Sequence, residues 1–304
     1  MLSRVLILAS AFCALSIPAF AAPVLVYVSG KGADAAGCGA VTAPCRTMQI
    51  AHDRVEAGGY IVALDPADFG EVAIRKSISI ANQSAGAALL RAPAPFTCGM
   101  GVTAGATDVV RLRGLTIEGN GPNTWGVCFN QGKRFEIADS VLRNATNQGA
   151  AIGAAFSSPS FLMLNTTFTG NGITGVFGSI SSGYAKGLQI INNFSGGMSL
   201  NLGGLSTFAP VVIEDSLIAN DPGKSASNAT GIRAEGLPLV LRNTTVRGFP
   251  TGVSTNGAII RLSRSILTGN AAAALGARIE SAGDNVIRGN VDDTLGALTP
   301  VQNR

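Results

Sequence analysis

The sequence predicts an all-β fold, a parallel β-helix in which one short unit is stacked on the next. Seven stretches repeat one pattern, a few β-branched or aliphatic residues closed by a small or amide-bearing turn: RGLTIEGN (Arg113–Asn120), ADSVLRN (Ala138–Asn144), NTTFTGN (Asn165–Asn171), DSLIAN (Asp215–Asn220), NTTVRG (Asn243–Gly248), RSILTGN (Arg264–Asn270) and DNVIRGN (Asp284–Asn290). They recur roughly every 20 to 28 residues, with a degenerate copy near Asn192; a period of that length marks a solenoid. The chain is also rich in residues that oppose helix, 39 glycines in 304 residues together with many Thr, Ser and Asn. Coils of two or three short strands therefore fit the repeat better than pairs of long helices.

The elements follow in order. Residues 1–21 read as a signal peptide: a positive charge at Arg4, an apolar run from Val5, and the small-x-small cleavage site Ala19-Phe20-Ala21. The run is too short for a membrane anchor, and no later stretch reaches the roughly 20 apolar residues of a span. Residues 22–59 form an N-terminal unit. VLVYVS (Val24–Ser29) alternates like a strand, Gly30–Pro44 is a Gly- and Ala-rich loop, and Thr47–Ala57 reads as a short helix with Met48, Ala51 and Val55 on one face. A solenoid must cover its open apolar end, and this capping helix would do so. Residues 60–290 hold about nine coils, opening with YIVAL and a strand EVAIRKSISI (Glu71–Ile80); residues 291–304 are a tail or C-terminal cap.

Charge excludes one class of function. The formal net charge is +4, and the basic residues are scattered singly without aromatic interleaving, whereas a nucleic-acid face would concentrate them. Once the leader with Cys13 is removed, four cysteines remain, Cys38, Cys45, Cys98 and Cys128. An even count in an exported chain reads as two disulfides. Of the three connectivities, Cys38–Cys45 and Cys98–Cys128 are favoured, the first closing a small loop and the second joining residues about one coil apart. The spacings match no zinc pattern, and the single histidine, His52, lies on the predicted helix as a surface residue.

The string YVSGKGADAAGCGAVTAPCRTMQIA, followed by GGYIVALDPADFGEVAIRKSISI, resembles the cap and first coil of the exported right-handed parallel β-helix proteins of the pectate-lyase-like superfamily. The resemblance covers Val26 to Asn290. It implies a right-handed helix, a periplasmic or extracellular location and contact with a polysaccharide or cell-surface glycan. It carries no catalytic signature, since lyases, hydrolases, epimerases and adhesins share the fold. Lyases of this kind combine acidic calcium ligands with an Arg or Lys base, and the hydrolases use clustered Asp residues.

Neither pattern is plain in the repeats. Their alignment puts Gly114, Asp139, Asn165, Asn192, Asp215, Asn243, Arg264 and Asp284 in one column. Asp139 and Asp215 then stand three coils apart, about 14 Å at strand spacing, beyond the roughly 5–9.5 Å of a glycosidase pair. If the chain is a lyase or hydrolase, its acid, base or ion ligands are to be sought near Asp139, Arg143 and Asp215. Calcium is the one cofactor left open, at the acidic turn Asp65, Asp68 and Glu71, which Pro66 and Gly70 mark first as a tight turn into the first coil. Glu136 opposite Arg111, Glu214 opposite Arg242 and Asp284 opposite Arg264 read as cross-coil ion pairs. Asn120, Asn144, Asn171, Asn220, Asn270 and Asn290 read as a ladder of stacked amides. Only Trp125 and three tyrosines are available for stacking on sugars, while Phe129, Phe135 and Phe168 fall at core positions. The reading is a glycan-binding or structural module. The alternative is a polysaccharide lyase or glycoside hydrolase. A third reading is self-association through an open end near Ala271–Ala277.

Overall fold

The computed structural model describes residues 24–84, 86–93, 97–153, 159–202, 208–276 and 278–293, and the backbone of 298–300. The leader, Cys13, Ala277 and most of the tail lie outside them. Among the described residues there are three parallel sheets of twelve, ten and nine strands, here sheets 1, 2 and 3. The chain visits them in turn. Val109–Arg113 in sheet 1 is followed by Leu115–Glu118 in sheet 2 and Trp125–Gln131 in sheet 3. Arg134–Ala138 then returns to sheet 1 beside Val109–Arg113. Nine successive coils supply all three strands, and the result is a parallel β-helix.

Alternation along each strand puts one side chain in two into the bore. Within that one coil Val110, Leu112, Leu115, Ile117, Val127 and Phe129 are all buried. The next coil stacks on it in register, and Phe129 meets Phe135 with ring centroids 5.5 Å apart.

The corner from sheet 1 to sheet 2 turns on a single left-handed residue: Asp139 (φ 51), Asn165 (φ 45), Gly187 (φ 68), Asp215 (φ 50), Asn243 (φ 47) and Arg264 (φ 48). Asn and Asp tolerate that conformation, which explains their recurrence. The column contains Gly187 where the sequence alignment placed Asn192; Asn192 (φ 56) turns the next corner instead. Just past the first corner, buried hydroxyls bridge the coils, with Leu115 N–H donating to Ser140 Oγ (3.1 Å) and Leu188 N–H to Ser216 Oγ (3.1 Å).

The corner from sheet 2 to sheet 3 holds the amide ladder. Asn171 N–H donates to Asn193 Oδ1 (3.1 Å), Asn193 N–H to Asn220 Oδ1 (3.2 Å), and Asn270 N–H to Asn290 Oδ1 (2.9 Å). Asn171, Asn193, Asn220 and Asn270 are buried, so each amide satisfies backbone groups that water cannot reach. Two residues expected in the ladder are outside it. Asn120 is exposed, and Asn144 donates to Glu118 Oε1 on the surface. Asn193, one residue from the position the repeats suggested, does the buried work.

Sheet 3 begins on a column of glycines. A Cβ on Gly126, Gly149, Gly175, Gly197, Gly231 or Gly252 would lie within 3.0 Å of a carbonyl oxygen of the adjacent coil. No other residue fits that approach without pushing coils apart.

At the N-terminal end lie β1 (Leu25–Val28), α1 (Met48–Arg54), β2 (Tyr60–Ala63), β3 (Ala67–Asp68) and β4 (Val72–Ile74). Thr47 begins the helix, its side chain accepting from Ile50 N–H, and Met48, Ala51 and Val55 are buried. The helix packs on β1 and β4. β4 has a strand on one side only, and helix side chains take the place of the next: Ala73 N–H donates to Gln49 Oε1 (2.8 Å) and Arg75 N–H to His52 Nε2 (3.2 Å). His52 is therefore not the surface residue the sequence suggested. It is 3 % exposed, because the edge needs an acceptor there. The segment EVAIRKSISI is likewise not one strand, since Val72–Ile74 joins sheet 3 and Ile78–Asn82 joins sheet 1, with a corner between.

Both disulfides form as favoured. Cys38–Cys45 (Cα–Cα 5.0 Å) closes the loop beside β1, and Cys98–Cys128 (Cα–Cα 6.0 Å) joins two neighbouring strands of sheet 3.

Candidate functional site

A β-helix offers three long faces, and which groups remain free on each decides where a ligand could bind. On sheet 1 the outward charges are occupied by one another. Glu136 Oε2 accepts from Arg111 Nε (2.9 Å), and Glu214 Oε1 accepts from Arg242 Nη1 (2.9 Å). The Tyr184 hydroxyl also donates to Glu214 (2.8 Å), and this bond, with Arg242, holds the carboxyl below its ordinary value. The third expected pair differs. Asp284 Oδ1 takes the backbone N–H of Arg264 (3.0 Å), and that bond lowers its pKa, so at this left-handed corner the main chain is the donor. The same face carries a groove of about 330 Å³ lined by Tyr60, Ser79, Ala81, Arg111, Arg113, Glu136, Leu162 and Leu164. It is largely aliphatic, and its charged groups already have partners.

Asp139 lies at the corner of this face, bonded to Arg113 Nε (3.0 Å) and Asn165 Nδ2 (3.2 Å). Asp215 is bonded to Asn243 Nδ2 (2.8 Å) and Lys186 Nζ (3.2 Å), which together hold its pKa down. Arg143 lies on sheet 2, 3.4 Å from Glu118. The structure brings none of the three together.

The acidic turn also divides. Asp65 accepts from Ser29 Oγ (2.6 Å) and Gly30 N–H (2.6 Å), which lower its pKa and tie the loop to the end of β1. Asp68 accepts from Gly70 N–H (3.0 Å) and lies 3.4 Å from Arg91. Glu71 lines a separate groove of about 290 Å³ with Gln49, Thr97 and Cys98. Among the described residues one trio of metal-ligating types converges, Asp34 with Cys38 and Cys45, and those sulfurs are joined in a disulfide.

Sheet 3 is different. Four consecutive strands, Thr174–Ser179, Gly196–Asn201, Thr230–Glu235 and Thr251–Asn256, align in register. Two outward rows cross them: Phe177, Ser199, Arg233 and Ser254 in one, Ser179, Asn201, Glu235 and Asn256 in the other. All eight side chains reach solvent at least in part. Arg233 Nε donates to Glu235 Oε1 (2.6 Å) within its own strand. The side chains of Ser179, Ser199, Asn201, Ser254 and Asn256 bond to no described residue, so their donors and acceptors stay available along three strand spacings, about 14 Å. Sequence reasoning passed over these residues because it followed the turn motifs. The signal was present in TGVFGS, GGMSLN, TGIRAE and TGVSTN, where the fourth and sixth residues alternate outward.

Comparison with known proteins supports the fold. No family model and no curated protein matches the sequence. Among solved structures the chain is similar to the crystal structure of pectate lyase Pel9A, with a TM-score of 0.59 at 15 % identity, over 86 % of this chain and 78 % of that one. The fold is a right-handed parallel β-helix. At that identity the likeness concerns architecture alone.

Proposed function

We propose that the protein is an exported glycan-binding module whose binding face is sheet 3. The observation that carries the reading is the pair of outward rows on four coils, where hydroxyl and amide groups keep their hydrogen-bonding capacity on three of the four rungs and the Arg233–Glu235 pair occupies the other. An extended chain of sugars laid along the axis would meet a fresh donor or acceptor at each coil, with Phe177 offering an apolar ring at one end of the row. Two disulfides suit an oxidising compartment, and no helix among the described residues is long and apolar enough to cross a membrane.

The alternative, a polysaccharide lyase or hydrolase, takes its support from the architecture shared with Pel9A. Against it stand the carboxylates. Glu235 is the single acid in the two rows, and Asp139 and Asp215 are three coils apart. Incubation of the protein, with calcium, against neutral and acidic polysaccharides separates the readings. Retention in affinity electrophoresis without new reducing ends is expected; robust release of reducing ends abolished by Asp215→Ala would overturn the binding reading.

A further inference from the structure

We infer that the sheet 3 face takes a neutral, hydroxyl-rich glycan in preference to a uronate or otherwise anionic one; this rests on the reading just given. The argument is charge complementarity. A polyanion needs cations left free by the protein, because each must compensate a carboxylate that loses water on binding. In the two rows the one cation is Arg233, and Glu235, two residues along the same strand, already accepts from it. The other polar positions, Ser179, Ser199, Asn201, Ser254 and Asn256, are uncharged, so the face has no net charge along its four coils.

The neutral groups match a neutral ligand. An amide presents two donors and a carbonyl acceptor, and a hydroxyl donates and accepts, the same complement a pyranose carries around its ring. Asn201 and Asn256 flank Glu235 in one row, while Ser199 and Ser254 flank Arg233 in the other. The central pair thus presents one carboxylate edge and one guanidinium edge to the same ligand, and like charges approach neither. An anionic chain lying over Asn201, Glu235 and Asn256 would meet the Glu235 carboxylate directly.

The test is calorimetric titration of the full chain with xylan, β-glucan and galactan as neutral probes and with polygalacturonate and alginate as acidic ones, each at low and high salt. Expected are binding of at least one neutral polymer, little changed by salt, and a loss of tenfold or more in Asn201→Ala/Asn256→Ala with the melting temperature unchanged. Binding confined to the acidic polymers and weakened by salt would overturn this inference while leaving a glycan-binding function standing. Binding to none of the five would overturn that function as well. Neutral binding untouched by the double substitution would move the site off sheet 3.

Discussion

Sheets 1 and 3 are built by the same chain with the same register, yet their outer faces are used in opposite ways. On sheet 1 a charge in one coil meets its opposite in the next, as Arg111 meets Glu136 and Glu214 meets Arg242. In the two rows of sheet 3 the side chains of Ser179, Ser199, Asn201, Ser254 and Asn256 bond to no described residue of a neighbouring coil. Strand spacing places side chains at contact distance along every column, so a repeating fold uses up its surface groups unless their chemistry prevents it. In the two rows of sheet 3 the Ser and Asn side chains escape that pairing, whereas at the corners Asn165 and Asn243 bond to Asp139 and Asp215 of the preceding coils. The lesson is to seek a ligand face where the columns are polar but unpaired.

This contrast can be broken in several ways, beginning with the largest effect. Sheet 3 is held by the Cys98–Cys128 link across a loop 30 residues long. Replacing both with Ala is expected to cost on the order of 3–4 kcal/mol, read as a lower midpoint in chemical denaturation; an unchanged midpoint would show that the sheet holds its coils together without the link. Next comes Gly231→Ala. Its Cβ would stand 2.5 Å from Gly252 O and 2.4 Å from a Val246 methyl, beneath the proposed binding rows. The overpacking should cost about 3 kcal/mol and weaken ligand binding with it, whereas a fully stable variant would mean that the coils can part at no cost.

A smaller effect depends on pH. Burial pushes the His52 pKa below its ordinary 6.5, and the neutral ring is the one that accepts from Arg75 N–H. As pH falls through about 6.5 the unfolded chain takes up a proton that the folded chain refuses, so stability should decline from there downward. The lowered carboxyls, such as Glu214 with an ordinary value of 4.5, add their own loss only below that value. Melting curves between pH 7.5 and about 5.5 should therefore slope in the wild type and flatten in His52→Gln, which keeps an acceptor; equal slopes would assign the effect elsewhere. The smallest change is expected from Arg242→Ala on sheet 1. Its pair with Glu214 is solvent-exposed, and such pairs contribute little. The melting temperature should move slightly and glycan binding not at all, and a strong loss of binding would reverse the roles of the two faces.

The sequence announced its architecture through the corners. Single left-handed Asp and Asn residues recur because only a few residue types tolerate that conformation, and this makes the period visible. Cys98–Cys128 and the ion pairs at Glu136 and Glu214 followed from counting coils, and Cys38–Cys45 from the small loop it closes. What stayed hidden was contact across coils without a local motif. His52 looks like a helix surface residue until the unpaired edge of β4 is seen beside it. Asn193 is one residue from the repeat position but one side of the sheet away from it. The rows on sheet 3 lacked a motif altogether, since Ser and Asn at alternate positions read as ordinary strand exterior. Asp139, Arg143 and Asp215 attracted attention as charged residues near repeated turns, and each is held by its own neighbours.

The N-terminal start of the stack is fastened in two ways. At the start, side chains of α1 occupy the edge of β4, and a disulfide pins the first coils together. Units that touch only their neighbours come apart one at a time from wherever the boundary is weakest. With its fastenings gathered at the start, such a chain behaves like a zipper with a stop at the N-terminal side, where unzipping is expected to halt rather than begin.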